Sequence, residues 1–143
     1  GKVAQFAIVH DLVEVYAGDT NTFNISDERR REKEEREGHA YERIKKESGT
    51  VYPWIAETIE EYESLRSDEA KFVKMVDKVM TKLTHRINQG AYLKREGKTR
   101  EETAFHYENQ TARIEEKYGK KFPEVILILK KLTEDILKET YIV

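Results

Sequence analysis

The 143-residue chain contains no cysteine, which removes disulfide cross-links, thiolate nucleophiles and cysteine-type zinc sites together. Only two prolines and seven glycines interrupt it, so strong helix breakers are rare. No apolar run approaches the ~18 residues that a membrane span requires, and no signal-peptide pattern opens the chain. The formal net charge is −2, so no global positive field steers the molecule towards a nucleic-acid polymer or an anionic membrane. Any phosphate must therefore be held locally, by a metal ion or a few placed cations. The expectation from these absences is a soluble, cytoplasmic protein. The abrupt start, Gly1-Lys2 leading straight into apolar sequence, reads as a chain that begins partway through a domain.

Apolar and charged residues each make up 38% of the chain, a balance that suits amphipathic helices with solvated outer faces. The length fits one domain, 1–143, with one core. Six helical segments are predicted: 3–16, nearly all apolar and stopped by Gly18; 27–48, capped by Ser26 or Asp27; 53–65, with Pro53 in its first turn; 67–89; 99–118; and 122–141. No strand alternation competes with the helical spacing, so the fold class is all-α, a bundle of about six helices. The charge run from Glu28 to Arg36 reads as a solvated helix face laced with i,i+4 pairs.

The stretch from Val9 to Thr20 carries the chemistry. At ~100° per residue on a helix, Asp11 lies about 100° and Glu14 about 40° from His10, so the three share a sector. Their neighbours Phe6, Ala7, Ile8, Val9, Leu12, Val13 and Val15 are apolar, and a helix apolar all round is normally buried. Buried carboxylates and an imidazole need compensation. A divalent cation supplies it, and so would a self-satisfied His–carboxylate cluster. In the 67–89 segment the expected core stripe runs Val73, Val76, Met80, Leu83, Ile87, with Asp77 at its edge. Two helices that each place ionisable groups against an apolar stripe favour one metal site over two unrelated clusters.

His10-Asp11-x-x-Glu14-Val15-x-x-Gly18-Asp19 is similar to the signature of the 5'-deoxynucleotidase group of the HD superfamily of metal-dependent phosphohydrolases. The stretches Glu60-Glu61-Tyr62-Glu63 and Glu69-Ala70-Lys71-Phe72-Val73-Lys74-x-x-Asp77-Lys78 resemble the same group's segment around its last metal ligand. The likeness covers residues 3 to about 84. It implies an HD-type helical bundle and one divalent ion (Co, Mn, Mg, Zn, Ni or Fe) held by His10, Asp11 and Asp77. Glu14 then positions or deprotonates the attacking water. Asp19 contacts the deoxyribose and assists proton transfer, and Thr20 and Lys78 are candidate substrate-binding residues. The implied reaction releases phosphate from deoxynucleoside 5'-monophosphates, and the group's members suggest a homodimer. The family's first histidine ligand normally lies well upstream of the His-Asp pair, where only nine residues stand here. His39, His85 and His106 are conceivable substitutes that read more simply as helix-face histidines. Two alternatives remain at this stage: an HD hydrolase for another nucleotide or phosphodiester, and an inactive helical binding or oligomerisation module.

Overall fold

Helix signals in the sequence translate closely into the computed structural model, which describes residues 1–142 and contains no strand among them. The helices are α1 (Lys2–Val9), α2 (Glu14–Ala17), α3 (Asp27–Ser48), α4 (Pro53–Ser64), α5 (Asp68–Ile87), α6 (Ala91–Arg95), α7 (Arg100–Tyr118) and α8 (Pro123–Thr140). Ser26 starts α3 by accepting from the Arg29 backbone N–H. Pro53 and Pro123 occupy the first turns of α4 and α8, where a missing N–H costs nothing. Thr99 and Glu102 form a complete capping box at the head of α7. Among the described residues no helix is long and apolar enough to cross a membrane.

The chain divides into two compact units, 1–73 and 74–143, and the division falls inside α5. In the first unit, Val9 and Val13 pack with Ala40 and Ile44 of α3 and Ile59 of α4. Phe6 joins Tyr62 of α4 and Ala70 and Val73 of α5 in a second cluster. In the second unit, Met75 packs with Ile126 and Leu129 of α8. Its core is unusually polar: Lys82, Thr103, Thr111, Thr133, Asp135 and Thr140 are all buried. Gly90 caps α6 with φ of +70°, and a Cβ there would overlap the Thr140 side chain.

Three expectations need correction. The apolar segment 3–16 is not one helix buried all round: only Phe6, Val9 and Val13 are buried, while Ile8 and Val15 are 73% and 69% exposed. Apolar composition overstated the burial because the segment packs on one side only. The α5 core stripe is rotated from the expected one, since Met75 and Lys82 are buried whereas Met80 and Ile87 are exposed. Lysine at position 82 looks like a surface residue by type, which hid the true face. The charge run of α3 is also not wholly a solvated face. Lys33 and Glu37 are half-buried and ion-paired, continuing the inward stripe of Ala40 and Ile44 by two helical turns.

Candidate functional site

Between α1 and α2 the backbone tightens without leaving helical dihedrals: His10 has φ −57°, ψ −32° and Val13 φ −61°, ψ −33°. The His10 N–H still reaches the Phe6 carbonyl four residues back, at 2.9 Å. Leu12 then donates to Val9 and Glu14 to Asp11, three residues back, both at 3.0 Å. This is a 3₁₀ turn, in which residues three apart eclipse one another. The tightening therefore brings Asp11 and Glu14 closer in azimuth than an ideal α-helix would. Gly18, with φ of +75°, ends α2, and its N–H donates to the Glu14 carbonyl at 2.8 Å.

His10 sits at the start of this turn with its ring in a T-shaped contact with Tyr62, 6.4 Å between centroids. Its Nδ1 lies 2.7 Å from the Ala7 carbonyl oxygen. A carbonyl can only accept, so Nδ1 carries the proton and Nε2 is left to bind something else. Nε2 lies 3.0 Å from Oδ2 of Asp11. A neutral imidazole lone pair and a carboxylate oxygen at that distance repel, so the pair calls for a proton or a metal cation. A backbone carbonyl that fixes the tautomer from the far side of the ring is the usual second support of a metal-ligating histidine. Asp11 is 59% exposed and His10 25%. The pair opens to solvent rather than lying in a sealed interior.

Glu14 is half-buried, and its pKa is raised. Burial is the largest cause, followed by the negative charges of Asp11 and Asp19; Lys33 opposes the shift and Glu37 adds to it. Desolvation and like charge both disfavour a carboxylate, leaving Glu14 a stronger proton acceptor than an ordinary glutamate. Asp19 is exposed and Thr20 half-buried in the loop after α2. Arg36 of α3 donates through Nη2 to Oγ1 of Thr20 at 2.7 Å. Thus the first unit gathers His10, Asp11, Glu14, Asp19 and Thr20, and adds Lys33 and Arg36, which the sequence reading left among the solvated charges. The signal was available, because stepping back from Ala40 by three and four residues lands on Glu37 and Arg36, and four more from Glu37 lands on Lys33. An apolar groove of about 270 Å³ on the same unit is lined by Leu12, Val15, Tyr16, Ile44, Tyr52 and Ile55, with Glu47 and Ser48 beside them. None of the candidate site residues borders it.

Asp77 and Lys78 lie on α5 in the second unit, both half-buried and ion-paired to one another at 3.1 Å. Of the other histidines, His39 is exposed. His85 stacks on Tyr92 at 5.4 Å and bonds through Nδ1 to the Tyr107 hydroxyl. His106 is half-buried, and its pKa is pushed down to about 4 by burial and then by the charges of Lys82, Arg113, His85 and Lys78.

Among the described residues the chain is all-helical, with an adjacent His–Asp pair whose imidazole tautomer is fixed from behind and a glutamate one turn on. The family model for the HD domain matches residues 1–125, and the chain belongs to the HD-domain family. No curated protein and no solved structure matches it. HD domains are in general metal-dependent phosphohydrolases that bind divalent cations.

Proposed function

We propose that this HD domain is a phosphomonoesterase that releases phosphate from deoxynucleoside 5'-monophosphates, with one divalent ion held by His10, Asp11 and Asp77. The reading is carried by the geometry of His10, whose Nδ1 is tied to Ala7 and whose Nε2 faces Asp11. One imidazole and two carboxylates are a chemically suitable donor set for a first-row cation. Such a cation, when bound, supplies Lewis-acid polarisation of the phosphate and of the attacking water.

The chain's own residues do the rest. Glu14, a strengthened base, takes a proton from the water as its oxygen bonds to phosphorus in line with the departing sugar 5'-oxygen. The P–O5' bond breaks, and the 5'-oxygen leaves as a hydroxyl after taking up a proton, with Asp19 the local group suited to assist. Asp19 also approaches the sugar, with Thr20 beside it. Lys78, next to Asp77, contributes positive charge on the phosphate side. The resemblance of the His10-to-Asp19 string supports the deoxynucleotide over other phosphoesters. The small-molecule substrate and the homodimer are proposed on the same resemblance.

Phosphate release from deoxynucleoside and ribonucleoside monophosphates, measured with Co²⁺ or Mn²⁺, tests the proposal. Deoxynucleotides should be turned over faster. His10→Ala and Asp77→Ala should each lose bound metal and activity together. Glu14→Ala should keep the metal and lose about 10²–10⁴-fold in kcat. Full activity in all three variants would remove the assignment.

A further inference from the structure

Arg36 forgoes the ion pair that its own helix offers. Glu32 stands one turn before it on α3, glutamate first and arginine four residues on, the order that favours pairing along a helix. Among the described residues Arg36 makes no ion pair, and its hydrogen bond runs from Nη2 to Oγ1 of Thr20, at 2.7 Å. A guanidinium carries five N–H donors, so most of its donors stay open on an exposed side chain. Lys33, one turn earlier, is committed to Glu37. The Thr20 hydroxyl is altered as well. Its oxygen accepts from the guanidinium, so its proton is left to donate, and a hydroxyl polarised by a cation donates more strongly. The two groups thus offer an N–H edge and an O–H 2.7 Å apart, close to the spacing of two oxygens of one phosphate. Their surroundings are acidic: Asp19 precedes Thr20, and Asp11 and Asp19 both lie near enough to Glu14 to raise its pKa. A phosphate dianion drawn here meets three carboxylates, and Arg36 is a cation beside them that no described carboxylate holds.

We propose that Arg36 and Thr20 form a phosphate-binding couple, in which the guanidinium edge and the Thr20 hydroxyl take oxygens of a phosphomonoester bound beside Asp19 and Glu14. Planar, bidentate donation is what suits arginine to phosphate. The inference deepens the proposed nucleotidase reading by assigning residues that grip the phosphate. It rests on that reading for the identity of the substrate and not for the binding of the anion.

Inorganic phosphate titrated into the full chain as purified, at low ionic strength and followed by calorimetry, tests the couple without turnover. Arg36→Met should raise Kd about tenfold and Thr20→Val about threefold. Arg36→Lys, which keeps the charge but not the fork, should fall between wild type and Arg36→Met. Arg30→Met removes an exposed charge from the same helix and should leave Kd within about twofold. In turnover assays, kcat/KM for a deoxynucleoside monophosphate should fall about 10–100-fold in Arg36→Met, the range for a hydrogen bond to a charged group. Inhibition by the phosphate-free deoxynucleoside should not change. An absence of saturable phosphate binding in wild type would overturn the couple, as would equal losses in Arg36→Met and Arg30→Met. A deoxynucleoside inhibition constant that rises as much as kcat/KM falls would put Arg36 on the sugar and overturn it too. The expected phosphate pattern in a wild-type protein that turns over no nucleotide would sink the nucleotidase reading and leave the anion site standing.

Discussion

At the scale of single residues, the site works by setting proton affinities with neighbours that are themselves few. Glu14 owes its raised pKa first to burial and then to Asp11 and Asp19, with Lys33 the cation named against that trend. Removing Lys33 should therefore raise the Glu14 pKa further. If Glu14 is the base, it acts only when ionised, so the acid limb of the kcat/KM profile follows its pKa. Lys33→Met should shift that limb to higher pH, and a pH–rate profile against wild type checks it. The neighbouring Glu37 loses its ion-pair partner in the same variant, which pushes in the same direction. An acid limb that stays in place would show that another group sets it.

At the scale of elements, caps explain why most helix boundaries were legible in advance. Ser26, Pro53, Thr99 and Pro123 act within one or two residues of the positions they define, so local chemistry suffices. Their strengths differ. Thr99 accepts from Glu102 N–H at 3.1 Å, and the Glu102 carboxylate accepts from Thr99 N–H at 2.9 Å. Ser26 makes a single bond at 3.3 Å. Thr99→Ala should cost about 1–2 kcal/mol and Ser26→Ala about 0.5–1 kcal/mol in urea unfolding. Equal losses would mean that the shorter Thr99 bond adds nothing over the Ser26 bond. The 3₁₀ turn at His10–Val13 was not legible, because no glycine or proline marks it. The α5 face was misread because tertiary contacts, not residue type, bury Lys82. The candidate set His10, Asp11, Glu14 and Asp19 could be named from the sequence because it lies within the ten residues of one motif. Lys33 and Arg36 were hidden among the nine charges of the Glu28–Arg36 run, and their role depends on which face of α3 meets α2.

At the scale of the whole molecule, the polar interior of 74–143 should govern how stability varies with pH. Lys82 is 1% exposed. Its Nζ donates to Oγ1 of Thr111 at 2.9 Å and of Thr133 at 3.0 Å, with the Tyr107 ring 4.7 Å away. Among the described residues no carboxylate pairs with it, and burial lowers its pKa to about 8 from 10.5. Between those values the unfolded chain holds a proton that the folded chain has released, so stability rises as pH climbs from about 8 to 10.5. Below pH 8 the folded state carries the full penalty, about 3 kcal/mol. His106 acts at the other end. Its pKa of about 4 lies below the ordinary 6.5, so stability falls as pH drops from 6.5 towards 4. Urea midpoints across pH 4 to 10.5 should thus show an acid decline, a plateau near neutrality and an alkaline rise. Lys82→Met should raise neutral stability by about 1–3 kcal/mol and flatten the alkaline rise. The acid decline would remain, and His106→Gln would reduce it to the part owed to His85, whose pKa burial also lowers. A wild-type curve already flat above pH 8 would mean that water reaches Lys82 and that its amine titrates normally.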